Sequence, residues 1–199
     1  IKSELEKMME TDRSAYEKFF EAFGIQLKYG IYSDYGMHKD VLKDLLIFRS
    51  SSNDKKYVSL KEYVDGMKNE QKAIYYASGE SIEKIEMLPQ VSTVKAKGYE
   101  VLYLTDDVDE FAFRVLEKYN GKEFKNVTAE ALDLMTDEEK EAEKSKNDSS
   151  EDMLTFMKDA IGKVSAVKWN GSLADHPVCL SSEGDLSIEM AKILKKMPG

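Results

Sequence analysis

The stretch from Ile74 to Phe111 constrains the fold more than any other part of the chain. Two short apolar, aromatic runs, Ile74-Tyr75-Tyr76-Ala77 and Tyr99-Glu100-Val101-Leu102-Tyr103-Leu104, flank a helix-like segment. Strand, helix and strand within about 30 residues form a βαβ unit, which requires a parallel sheet. The first run ends in a Ser-Gly-Glu-Ser turn and the second in Thr-Asp-Asp-Val-Asp-Glu. In open α/β sheets those strand ends are where ligands and partners are met.

The flanks extend this reading. Tyr16, Phe19, Phe20 and Phe23 fall at helical spacing, so a helix is expected from Ser3 to Phe23 with Gly24 as its C-cap. A second is expected from Lys39 to Phe48, with Val41, Leu42, Leu45 and Leu46 inward. Ser59-Leu60-Lys61-Glu62 is a capping-box sequence and starts a short helix. Strands are expected near 73–77, 99–105 and 124–127, with helices near 81–97, broken at Pro89, and 107–119, closed by Gly121. Residues 135–152 carry eight acids, three lysines and almost nothing apolar, so they cannot bury a face and form a linker or a solvated helix. Beyond them a helix around Met153–Ile161, strands at Val164–Trp169 and Val178–Ser181, and a helix over Asp185–Met197 are expected. The fold class is therefore mixed α/β: an N-terminal helical segment (1–72), a small three-layer αβα unit with a mainly parallel sheet (73–134), an acidic linker (135–152) and a smaller α+β unit (153–199).

Charge and cysteine content exclude several function classes. The net charge of -9, from 38 acids against 29 bases with no basic block, disfavours nucleic acid and anionic membrane as partners. The single cysteine, Cys179, excludes an internal disulfide and suits a reducing, cytoplasmic compartment. No run approaches the roughly 18 apolar residues of a membrane span. The chain begins at Ile1, which reads as a fragment of a longer protein. No glycine-rich phosphate loop occurs, and His38 and His176 stand beside no metal-ligand or nucleophile motif. Cys179 lies in an apolar run, where a buried small residue is the expected role.

Two constellations remain. Asp106, Asp107 and Asp109, with Glu110, follow a strand, where carboxylates hold Mg²⁺ or accept a phosphoryl group. A Mg²⁺-dependent phosphoryl-transfer or receiver-like domain is thus one reading. The other is that these acids start a helix, a role their spacing serves fully. In the final helix, Leu186, Met190, Ile193, Leu194 and Met197 share one face. That face is either ordinary core or an adaptable apolar surface, to which methionine is suited.

Several motifs resemble a known family. Gly79-Glu80-Ser81, Lys95-Ala96-Lys97-Gly98-Tyr99-Glu100-Val101-Leu102, and Thr105-Asp106 followed by Asp109-Glu110-Phe111 are similar to the middle segment of the bacterial ninety-kilodalton heat-shock chaperones. Tyr16-Glu17-Lys18-Phe19, Ser59-Leu60-Lys61-Glu62-Tyr63-Val64, Met67-Lys68, Gln71-Lys72, Gly121-Lys122 with Phe124, Leu173-Asp175-Pro177 and Met190-Ala191-Lys192 extend the likeness over nearly the whole chain. The resemblance implies that 1–134 belongs to the middle domain and 153–199 to a truncated C-terminal domain. It implies client contact by Glu110 and Phe111 on a cleft-facing surface, and by Leu186, Met190, Ile193 and Leu194 on an amphipathic helix lining the same cleft. Ile47, Asp107, Phe111, Ser172 and Ala174 depart from the family's usual residues. Arg13, Arg49 and Arg114 do not match its catalytic-loop arginine, and its nucleotide-binding domain has no counterpart here. The resemblance thus implies part of an ATP-dependent chaperone that binds unfolded clients. ATP, Mg²⁺ and homodimerisation belong to the parent protein. The chain alone is expected to hold no cofactor or catalytic residue and to be a monomer or weak oligomer.

Overall fold

A helix opens the chain at Lys2–Thr11 (α1), and Asp12 then starts a second one, because its carboxylate accepts the Ala15 amide at 3.1 Å. That second helix, α2, runs from Arg13 to Tyr32. The computed structural model describes residues 1–129, 137–171, 173, 177–182, 184 and 186–196. The single helix expected over Ser3–Phe23 is therefore two, and Gly24 lies inside the second instead of ending it. The reason is packing. A Cβ on Gly24 would stand 2.8 Å from the Phe20 ring, so glycine permits a close approach.

The next expected helix is cut short. Lys39–Leu42 is helical (α3), a 3₁₀ turn follows, and Ile47–Ser50 is a strand (β1) paired antiparallel with Tyr57–Ser59 (β2). The Leu-rich stretch suggests helix, but Ile47 and Phe48 supply β-branched and aromatic groups to the sheet. The capping box forms as expected: Ser59 and Glu62 exchange hydrogen bonds at the start of Leu60–Asp65 (α4).

The βαβ unit follows. Ile74–Ser78 (β3) leads through Ile82–Glu86 (α5) and Pro89–Ala96 (α6) to Val101–Leu104 (β4), with the break at Pro89 where proline begins the new helix. Asp109–Leu116 (α7) then precedes Lys118–Tyr119 (β5) and Lys122–Asn126 (β6). The sheet order is β2-β1-β4-β3-β6-β5. Its centre, β4-β3-β6, is parallel, and both flanks are antiparallel. The mixed α/β class holds, with the parallel centre bounded by antiparallel edges.

Both sheet faces are covered. Leu102 and Leu104 join the core with Tyr76, Phe48, Phe113 and the Tyr16 and Phe20 side chains of α2. Val101 and Tyr103 alternate to the other face, where Ile85, Val91 and Val94 are also buried. That is a three-layer αβα arrangement.

The chain divides into two compact units, Ile1–Leu132 with Leu180–Gly199, and Asp133–Cys179. In the second, Asp137–Ser149 (α8) and Glu151–Ile161 (α9) are helices, so the described part of the acidic stretch is a solvated helix. The Asn147 side chain accepts the Trp169 amide at 2.8 Å and donates to its carbonyl at 3.1 Å. Residues 164–169 form no strand. Neither do 178–181, although Ser182 makes one parallel bridge to Ala129. The last helix, Ile188–Lys196 (α10), packs within the first unit. His176 and Met197 lie outside the described residues.

Candidate functional site

Helix α7 begins at the carboxyl end of the parallel strands and carries the candidate acids. Lys28, from the buried stripe of α2, reaches them. Its Nζ lies 2.7 Å from Asp106 Oδ2 and 2.5 Å from Asp109 Oδ1. The Phe20 and Phe48 rings face the same ammonium, with centroids 5.5 and 5.1 Å away. Asp109 Oδ2 accepts the Asp106 amide at 3.0 Å. Among the described residues Asp109 Oδ1 makes no hydrogen bond of acceptable geometry, so its partner is the Lys28 charge.

The electrostatics follow from burial. Asp109 is 1% exposed, and loss of water pushes its carboxyl up to about 6 against the opposing pull of Lys28. Burial pulls the Lys28 ammonium down, but Asp109 and Asp106 more than offset it and hold it above the ordinary lysine value. The Lys28 ammonium thus lies between two carboxylates, one of them almost fully removed from water. Asp107 alone is exposed. The carboxylates that a Mg²⁺ or phosphoryl site needs are thus taken by an internal cation, and among the described residues no three His, Cys, Asp or Glu side chains are grouped for a metal. The phosphoryl-transfer reading is not favoured. Asp109 and Glu110 lie in the first turn of α7, whose N-cap, Val108, supplies no side-chain cap, and the Lys28 contact anchors that end of the helix.

The expected client residues divide. Glu110 is only 4% exposed and turns inward, where its Oε1 accepts the Ser187 hydroxyl at 2.7 Å. Met190 is 1% exposed. These two are not open surface, because the start of α10 docks on α7. Ser187 Oγ also accepts the Met190 amide at 3.0 Å and so caps α10 while bonding Glu110. The rest of the stripe is available. Leu186 and Leu194 are 40% and 42% exposed, and Ile193 is half-buried. Phe111 is half-buried against Tyr32, with ring centroids 5.3 Å apart. Tyr29 and Ile25 continue an exposed face of α2. Cys179 is partly buried, which raises its thiol above the ordinary value.

Lys28, Tyr32 and Ser187 were not singled out in the sequence. One signal was there: Tyr16, Phe20, Gly24 and Lys28 recur every four residues, and a lysine on an apolar stripe needs a buried carboxylate. Nothing local marks Ser187, whose partner is 77 positions away.

The comparisons agree with this frame. The family model described as Hsp90 protein matches residues 1–198. Curated relatives named Chaperone protein HtpG include those of Clostridium acetobutylicum, 57% identical, and Clostridium perfringens, 55% identical, each over all of this chain and 31% of the relative. That of Clostridium botulinum is 52% identical over all of this chain and 32% of the relative. The chain thus spans about a third of the length of these relatives. Among solved structures, the middle domain of a Plasmodium falciparum heat shock protein superposes with a TM-score of 0.57 at 33% identity, covering 62% of this chain and 51% of that one. With a family model matching nearly every residue and full-chain identities above half, the chain belongs to the Hsp90 family of chaperones, of the HtpG type.

Proposed function

We propose that this chain is a client-binding and force-transmitting portion of an ATP-dependent chaperone. The observation that carries the reading is the partly open apolar set on α7, on α10 and just before α10. Phe111, Leu186, Ile193 and Leu194 all keep surface to offer, although the protein has ample core to bury them. Unfolded or partly folded clients bind by covering these groups, each worth about 1.5–3 kcal/mol before ordering costs. Glu110 and Met190 serve the same surface from beneath. ATP and Mg²⁺ act in the parent protein, where nucleotide-driven closure in a homodimer changes the width of the client cleft. In that reading residues 1–134 are middle domain, the acidic stretch 135–152 is a passage, and the residues after it begin the C-terminal domain. The chain itself turns over no ATP and stays a monomer or weak oligomer. It works in the cytoplasm. Among the described residues no helix is long and apolar enough to cross a membrane.

The test is binding of a fluorescein-labelled, permanently unfolded polypeptide followed by anisotropy. Phe111→Ser and Leu194→Ser are each expected to weaken binding about tenfold, since 1.4 kcal/mol is one decade of affinity. Unchanged affinity in both variants would remove the proposed surface. ATP turnover by the purified chain, abolished by no inhibitor of contaminating ATPases, would contradict the division of labour.

A further inference from the structure

We infer that residues 180–182 and 186–196 are a self-docked cover that occupies the carboxyl edge of the parallel strands, and that its release opens this edge to an extended apolar polypeptide. The proposal rests on the client-binding reading above and adds where the client's backbone and anchor would sit.

Four ties hold the segment. Gln90 Nε2 on α6 donates to the Leu180 carbonyl at 2.9 Å. The Ser182 amide donates to the Thr128 carbonyl at 3.2 Å, and Ser182 bridges Ala129 in parallel register just past the end of β6. The Ser187 hydroxyl donates to Glu110 at 2.7 Å. Met190 is the buried anchor. A single backbone bridge just past the end of β6, followed by an apolar side chain sunk near α7, is a set of groups that an unfolded segment supplies in trans. Strand ends at the carboxyl edge are also the place where open α/β sheets receive ligands.

The cover is lightly held. Leu180, Leu186 and Leu194 stay exposed, so among the described residues one buried apolar side chain, two buried serines and a few hydrogen bonds secure it. Such a contact opens locally, without global unfolding. While closed it lowers the apparent affinity for a client by the open fraction, and loosening it raises affinity by the same factor. Ser187 is the hinge of this balance, because its one oxygen serves both the α10 amide and Glu110.

The experiment measures opening directly. In a Cys179→Ala background, Met190→Cys is labelled with a thiol reagent. Adding Ser187→Ala or Glu110→Ala is expected to speed labelling about tenfold, the scale of a lost hydrogen bond to a charged group. Glu110→Gln keeps an acceptor and is expected to leave the rate within about twofold. Because Met190→Cys itself shortens the anchor, exchange of the Ala191 amide, bonded to the Ser187 carbonyl at 2.9 Å, reports the same opening with Met190 intact. Rates and exchange that ignore Ser187→Ala and Glu110→Ala would overturn the cover. A labelled, extended Leu/Val-rich peptide should bind more tightly by the factor that labelling speeds up. Faster labelling with unchanged peptide affinity would leave the cover standing and overturn the client reading of this edge.

Discussion

Lys28 is the residue on which the first unit's polar interior turns. A lysine almost fully removed from water survives only because two carboxylates and two aromatic faces surround its ammonium. Removing one member strands a buried charge. Asp109→Ala is therefore expected to cost about 3 kcal/mol in urea unfolding, at the low end for a broken buried pair because Asp106 remains. The pH dependence has a definite sign. Asp109 titrates near 6 when folded and lower when unfolded, so the unfolded chain loses its proton first as pH rises. The proton-linked part of Asp109's contribution to stability is full below about 4 and is lost as pH climbs through about 6, while its pairing with Lys28 remains. Asp109→Asn, which cannot ionise, should abolish that decline, and unfolding midpoints measured from pH 4 to 7 would show it. Lys28 works in the opposite part of the range, since its raised value retains the ammonium until well above neutrality. None of this was legible locally, because Lys28 and Asp106 are 78 positions apart. Only the stripe on which Lys28 sits hinted at it.

At the level of elements, what could be read depended on range. The βαβ unit was legible because two aromatic runs and an intervening proline-started helix each declare themselves within a few residues. The flanking strands β1 and β2 were not, since they are four and three residues long and join the sheet only through the pairing of β1 with the distant β4. Helix α2 shows the same contest inside a single element. Glycine ordinarily weakens a helix interior by about 1 kcal/mol relative to alanine, so Gly24→Ala looks favourable by propensity. The added methyl, however, would meet the buried Phe20 ring at 2.8 Å. Moving that ring disturbs its packing against Tyr57 and the face it offers to Lys28. Overpacking typically costs about 1–3 kcal/mol, so Gly24→Ala should be destabilising despite the better helix former. A rise in Tm would show that the Phe20 ring yields freely. Helix α4 offers the complementary case, where local chemistry decides. Ser59→Ala removes one half of a reciprocal cap and should cost about 1 kcal/mol in the same unfolding measurement.

Across the whole molecule each of the two units rests on a different amount of core. The first has aromatic and aliphatic side chains buried on both faces of a six-stranded sheet. In the second, α9 buries none of its residues, and Met153, Phe156 and Ile161 remain exposed. Trp169 is tied there by the two Asn147 hydrogen bonds and by Lys146, whose Nζ lies 4.7 Å from its ring centroid. Hydrogen bonds exposed to water contribute little net stability, and few buried apolar contacts mean a low local opening free energy. Since Trp169 is the single tryptophan, its fluorescence reports the second unit alone. Far-UV circular dichroism is dominated by the sheet and helices of the first. In a urea titration the tryptophan signal is therefore expected to change at lower denaturant than the dichroism. The two curves would not coincide, and the chain would fail the test for a two-state transition. Asn147→Ala should move the tryptophan curve further left and leave the dichroic midpoint in place. Coincident curves that shift together would mean that the second unit draws its stability from the same cooperative core as the first.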